Sequence, residues 1–412
     1  MKNIILIITL IISQNVFSHI SNVDPNSITA VYADLDILKK ANVPVLYADQ
    51  NLNVGYAIIT GKMEARISAL AHEQGRCGNY EALDEIPQNI STVANNFAFM
   101  NQIQSKNQNY EMLAKNSIEV AENPLITEAL KNLKPDNIKA TVTYLSAFPT
   151  RFNKGNTPNL HVDDFSEKIK ALVATAAYPV TVDLISHNKT PQKSIRVTIK
   201  GSTKPDEYVI LGGHLDSISG GGFGGGSKLA PGADDNASGS ASLLEALRIL
   251  ITQAQPQRTV EFFWYAGEES GLLGSAEIAA SYKAQSKNVI SVLQLDMTMF
   301  PGDGVFRITS INDFTSAWLR DYLKAINTTY LNVEILDDKC GYGCSDHASW
   351  FRNGYPTLMP TEAKFKSIFK YIHTDKDVIS SVMNFDHALV FSKIALVMAM
   401  DLGNSSQKEV LF

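Results

Sequence analysis

A chain of 412 residues, 45% hydrophobic and 19% charged, is too long for one ordinary domain and too apolar to be disordered, so it reads as globular with a principal domain and an additional unit. Its formal net charge of −6, without a run of Lys and Arg, argues against a nucleic-acid partner, which selects clustered cations.

Residues 1–18 read as an export signal: Lys2, the apolar run Ile4 to Ile12, then Val16-Phe17-Ser18 ending in a small residue suited to cleavage. The apolar core is shorter than the roughly 20 residues that span a bilayer. The expectation is a secreted, extracellular protein with no membrane anchor after signal removal. Disulfides persist in that compartment. In Cys340-Gly-Tyr-Gly-Cys344 the two glycines let the chain turn sharply enough to close a small disulfide ring. A zinc ribbon would need a second cysteine pair, and Cys77 is the only other cysteine.

From His19 to Glu122 short apolar pieces (Val43 to Tyr47, Gly55 to Ile59) mix with polar helical stretches near 62–74 and 99–121, and none ends in a cluster of ligands. Asn123-Pro124 breaks the pattern. Residues 19–122 are therefore expected to form a small α+β unit, and 123–412 the main domain. There the rhythm becomes alternating: an amphipathic helix over Asp163 to Tyr178, paired strands at 180–186 and 194–201, and a buried strand from Tyr208 to His214. Helices follow at Gly239 to Gln253, Ser270 to Ala284, Phe314 to Asn327 and Asp386 to Leu402, separated by strands at 259–265, 289–295, 305–310, 333–337 and 355–359. Such alternation implies an α/β fold, a mostly parallel twisted sheet with helices on both faces. The glycine-rich Ser219 to Ser227 lacks the Lys-Ser/Thr ending of a phosphate loop and reads as a flexible loop beside a site.

Carboxylates and imidazoles gather where strands stop. His214 and Asp216 end the first buried strand, Asp235 precedes a helix, Glu268 and Glu269 follow the strand at 259–265, and Asp296 ends the next. Ligands of open α/β sheets collect at such carboxyl ends. Each piece alone has a plainer reading: Asp234-Asp235-Asn236 as a helix cap, Glu268-Glu269 as a solvated helix start, His373 as a loop histidine. Together His214, Asp235, Glu269, Asp296 and His373 supply five metal ligands, enough for two ions if Asp235 bridges. One of the adjacent glutamates then has to stay free to move protons. Asp216 is placed to accept the other ring N–H of His214 and fix its tautomer.

His214-Leu-Asp-Ser, Pro231-Gly-Ala-Asp-Asp-Asn-Ala-Ser-Gly, Ala266-Gly-Glu-Glu-Ser-Gly-Leu-Leu-Gly-Ser, Leu295-Asp-Met-Thr, Cys340-Gly-Tyr-Gly-Cys-Ser-Asp-His and Ile372-His-Thr together resemble the secreted bacterial leucyl aminopeptidases, a branch of the di-zinc exopeptidases. The resemblance spans about 124–403 and implies two Zn2+ ions, one held by His214 and Asp296, the other by Glu269 and His373, with Asp235 bridging. It also implies Glu268 as general base, Tyr342 assisting at the oxyanion, a cis peptide between Asp235 and Asn236, and a first-residue pocket drawing on Met297, Met359, Phe365 and Ile372. Thr361 departs from the family, where an aromatic residue is common, which bears on preference among hydrophobic side chains. Exported members often carry an N-terminal prosegment, so residues 19–122 are expected to be removed by a processing protease. The implied substrate is the N-terminus of a peptide or protein, and a monomer is expected. A glutaminyl cyclase of the same fold would use one metal and is not expected to carry Cys340-Gly-Tyr-Gly-Cys344. A catalytically silent binding relative would be expected to lose ligands or Glu268, and a carboxypeptidase needs an Arg clamp that the motifs lack.

Overall fold

The computed structural model describes residues 26–72, 80–83, 85–113, 118–220 and 228–404. The expected export signal, Cys77 and most of the glycine-rich loop lie outside them.

The N-terminal unit runs β1 (Ile28–Asp34), α1 (Leu35–Lys40), β2 (Tyr47–Asp49), β3 (Val54–Thr60), α2 (Gly61–His72), β4 (Tyr80–Ala82) and α3 (Ile90–Leu113). Its strands form an antiparallel sheet in the order β2-β3-β1-β4. Strand alternation divides β1 between two cores. Val31 and Ala33 pack with Ile37, Leu38 and Ile59. Ala30 and Tyr32 pack with Tyr56, Val93 and Phe97. Asp34 starts α1 by accepting the N–H groups of Asp36 and Ile37 at 2.8 and 3.0 Å.

The break at Asn123-Pro124 is a helix start. Asn123 accepts the N–H of Leu125 at 3.0 Å, and proline occupies the first turn of both α4 (Pro124–Leu130) and α5 (Pro135–Ser146). The alternating part follows: α6 (Leu160–Val173), β5 (Val180–Ile185), β6 (Ser194–Ile199), β7 (Lys204–His214), α7 (Gly239–Leu250), β8 (Arg258–Tyr265), α8 (Leu273–Ala284) and β9 (Asn288–Gln294). The chain continues through β10 (Arg307–Ile311), α9 (Ala317–Ile326), β11 (Glu334–Asp338), α10 (His347–Arg352), β12 (Thr357–Leu358), β13 (Pro360–Thr361) and α11 (Phe385–Asn404).

The main sheet has the order β12-β9-β7-β8-β6-β5. Its β12, β9, β7 and β8 run parallel, and β6 and β5 form the expected antiparallel pair at one end. Strand β8 is buried throughout because its residues alternate between two cores. Val260, Phe262 and Trp264 face α5, α6, α7 and α11; Phe263 and Tyr265 face α8 and Trp350 of α10. The expected strands at 305–310 and 333–337 do not join this sheet but form a smaller one with β13, in the order β11-β10-β13. The expected strand at 355–359 divides accordingly. Thr357 and Leu358 pair with β9, but Pro360 has no N–H to extend that ladder and pairs instead beside Ser310.

Because β7, β8 and β9 are parallel neighbours, their carboxyl ends open on one edge, bringing together His214, the turn after Tyr265 and Asp296. Phe262 lies fully buried at the centre of that scaffold. Replacing it with Ala should cost about 3–5 kcal/mol, read as a lowered urea midpoint of the main unfolding transition.

Candidate metal centre

The centre is assembled at the carboxyl ends of β7, β8 and β9, with His373 added from the segment between β13 and α11. Asp235 holds it together. Its Oδ1 lies 3.0 Å from His214 Nε2 and its Oδ2 lies 2.8 Å from His373 Nε2. Asp296 Oδ1 approaches His214 Nε2 at 3.4 Å, and Glu269 Oε2 approaches His373 Nε2 at 3.0 Å. Two three-residue groups result, His214–Asp235–Asp296 and Asp235–Glu269–His373, with Asp235 common to both. All five side chains expected as ligands therefore lie together, in two groups that share Asp235. The Asp235–Asn236 peptide is cis, as the family resemblance implies.

All five side chains are buried. Burial would lower the imidazole pKa values, yet the surrounding carboxylates hold both His214 and His373 well above the usual range. Burial would raise Asp235, yet its two imidazole partners hold it low. Burial pushes Glu269 up to about 7, against the opposing pull of His373. Glu268 is driven well above its ordinary value, first by burial and then by Glu269 and Asp296, with His214 opposing. Among the described residues Glu268 Oε1, Glu269 Oε1 and Asp296 Oδ1 are buried without a hydrogen-bond partner. A dry site with this excess of acceptors fits divalent cations bound by nitrogen and oxygen.

The supporting contacts show how Asp216 meets the second ring nitrogen of His214. His214 Nδ1 meets the backbone carbonyl of Asp216 at 3.1 Å, with the Asp216 carboxylate further away at 3.5 Å. That carboxylate instead accepts the N–H groups of Glu268 and Glu269 at 3.0 and 3.3 Å. Asp216 thus orients the imidazole with its backbone and the glutamate turn with its side chain, because the sharp turn after β7 brings the carbonyl closer to the ring.

Two organising residues, Asp377 and Arg151, lie outside the sequence motifs, and two more, Gly232 and Asn236, lie within one. Asp377 accepts the N–H groups of Asp234 and Asp235 at 2.9 and 3.0 Å. Fully buried Arg151 donates to the carbonyls of Leu215 and Gly232, both at 2.8 Å, and so joins the loops that carry His214 and Asp235. Burial brings its guanidinium down to about 10, which still leaves it charged at neutral pH. Gly232 has φ of +52°, and a Cβ there would stand 2.5 Å from the Asp235 carbonyl oxygen. Asn236 accepts from Gly239 N and Met297 N at 3.0 and 3.2 Å and donates to Leu295 O at 3.0 Å, tying the Asp235 loop to the strand end that carries Asp296. An arginine that binds only carbonyls, or a carboxylate that binds only backbone N–H, could have been found only through its burial.

Cys340 and Cys344 form the expected disulfide. The ring puts Tyr342 in a small apolar cluster with Ile311 and Met359, with Phe365 packed edge-on at 6.2 Å. Asp313 supports the ring by accepting the N–H groups of Cys340 and Gly341 at 3.0 and 2.5 Å. Of the four expected pocket residues, Met359 and Phe365 thus stand beside Tyr342, whereas Met297 and Ile372 belong to the edge of the main core. Thr361 is buried and donates to the Asp296 carbonyl at 3.3 Å, which makes it a brace for that ligand's backbone.

Asp216→Asn keeps the shape but turns one acceptor into an NH2 group facing an N–H of the glutamate turn. The expected result is a 10- to 100-fold loss of metal affinity or turnover, in the usual range for groups that orient ligands, with little change in melting temperature. Metal affinity should also fall with falling pH, as protons compete for His214 and His373 below their raised pKa values; chelator competition at several pH values measures this.

Comparison with known proteins agrees with this geometry. Peptidase family M28 matches residues 194–399. A probable aminopeptidase of Saccharomyces cerevisiae is 33% identical over 304 residues, covering 70% of this chain and 78% of that protein. Leucine aminopeptidase 1 of Aspergillus fumigatus is 38% identical over 285 residues, covering 66% and 72%. In fold, the chain is similar to the crystal structure of the Legionella pneumophila LapA aminopeptidase, with a TM-score of 0.77 at 24% identity over 93% of this chain and 100% of that one. For LapB of the same organism the TM-score is 0.73 at 22% identity, over 92% and 100%. Ligands at the carboxyl ends of parallel strands, the shared aspartate and these similarities lead to one conclusion: the chain belongs to peptidase family M28.

Proposed function

We propose that this protein is an exported metalloaminopeptidase that hydrolyses the first peptide bond of peptides and proteins, preferring leucine and other large hydrophobic first residues. The observation that carries this reading is the division of Asp235 between two His–carboxylate groups, with Glu268 buried beside them and in neither group. His214 and Asp296 would hold one zinc ion and Glu269 and His373 the other, with Asp235 between. When bound, the zinc pair supplies an acidified water and polarises the scissile carbonyl.

The protein's own groups do the rest. Glu268 takes the proton from the attacking water and delivers it to the leaving amine, so its proton count is restored each turn. By its resemblance to the family's tyrosine, Tyr342 would donate a hydrogen bond to the carbonyl oxygen as charge develops there. Asp216 holds the peptide N–H groups of the glutamate pair, which keeps base and ligand in register. The side chains around Tyr342, above all Met359 and Phe365, form an apolar wall suited to a leucine-sized group. Export through residues 1–18 is part of the same proposal, and the closed Cys340–Cys344 ring supports an oxidising compartment.

The test is release of p-nitroaniline from leucine p-nitroanilide by the purified protein, before and after chelation and zinc return. Activity should vanish with the metal and come back with it. Glu268→Gln should keep bound zinc, measured by elemental analysis, and lose on the order of 10²- to 10⁴-fold in kcat. A near-native rate would remove Glu268 from the role of base.

A further inference from the structure

The glutamate turn is held from two sides, and the second side is the N-terminal unit. Within seven residues the turn contains Gly267 at φ +64°, Gly271 at φ +103° and Leu272 at φ +61°. A leucine in the left-handed region crowds its Cβ against the backbone, so it persists only where its surroundings hold it. Here they do. Leu272 is fully buried among Tyr32, Tyr56, Phe97 and Met100 on one face of the N-terminal sheet. Its neighbour Leu273 packs with Val31, Ala33 and Tyr80 in the core of the opposite face.

The two leucines thus straddle the edge of β4, the last strand of that sheet. The edge itself is engaged: Ala82 N donates to the Gly271 carbonyl at 3.0 Å, and the Tyr80 hydroxyl lies 3.2 Å from the Ser270 carbonyl and 2.7 Å from Glu64 Oε1. A Cβ on Gly271 would meet the Tyr80 ring at 2.6 Å. Arg352 of α10 forms an ion pair with Glu81, the residue between them. The contacts with the turn fall within four residues of Glu269, and the ion pair lies on α10, which packs against α8.

We infer that the N-terminal unit is a working part of the catalytic centre, with Tyr80 as a positioning residue that fixes the Glu268–Ser270 turn from behind while Asp216 fixes it from the front. This rests on the reading of Glu268 as the base and of Glu269 as a ligand. It also runs against the expectation that residues 19–122 are removed, since removal would expose Leu272 and Leu273 and leave the left-handed turn without its support.

The experiment uses the full chain with Tyr80→Phe, Tyr80→Ala and, as a control, Asp34→Ala, which removes the cap of α1 in the same unit without touching the turn. Tyr80→Ala should lower kcat on the order of 10- to 100-fold, as small misplacements of reacting groups do, with KM changed less than about twofold. Tyr80→Phe, which keeps the ring and loses the hydroxyl, should lie between Tyr80→Ala and the parent chain. Amide hydrogen exchange over 268–273 should quicken in Tyr80→Ala and stay unchanged in Asp34→Ala. Parent kcat and parent exchange in Tyr80→Ala would overturn the inference, as would a fully active protein that begins near residue 123. If the parent chain itself fails to act on leucine p-nitroanilide, the functional reading falls, and the exchange measurement alone decides whether Tyr80 holds the turn.

Discussion

One carboxylate shared by two imidazoles is the constraint around which the rest is arranged. Asp235 reaches His214 with one oxygen and His373 with the other, and these histidines come from parts of the chain more than a hundred residues apart. Holding the carboxylate there takes the left-handed Gly232, the Asn236 hydrogen bonds to the Asp296 strand end and the two N–H groups given to Asp377. Each supports the backbone around Asp235. A carboxylate that meets two imidazoles at once has little tolerance for rotation, so the backbone on both sides of it is held.

The same site concentrates negative charge in a dry interior. Asp235, Glu268, Glu269 and Asp296 are all buried within reach of two histidines. A little further out, burial and mutual repulsion push Glu362 up to about 8 and Asp377 and Asp346 up to about 7. Such a set is tolerable only with positive charge at its centre and with its outer members partly protonated. Arg151 adds fixed positive charge nearby without pairing directly with a carboxylate, since its N–H groups are given to loop carbonyls.

Much of this was legible before the fold was known. A buried strand followed at once by His, Asp or Glu is a local pattern, so His214, Glu268, Glu269 and Asp296 could be picked out one by one, and the order of the motifs joined Asp235 and His373 to them. The Cys340–Cys344 ring was legible because only three residues separate the cysteines. That Asp216 would meet the second ring nitrogen of His214 was legible too, but whether it does so through its carbonyl or its carboxylate depends on the turn it occupies. The small sheet of β10, β11 and β13 was missed: strand periodicity does not say which sheet a strand will join, and the proline that divides 357–361 acts only through its missing N–H.

What the sequence determined by itself was the set of reacting groups and the alternation that brings strand ends to one edge, because both follow from local residue type and hydrophobic period. What only the tertiary structure decided was how those groups are held. Arg151, Asp377 and Tyr80 act on backbone carbonyls and N–H groups distant in the chain, and a backbone group carries no mark in the sequence of the partner that will find it.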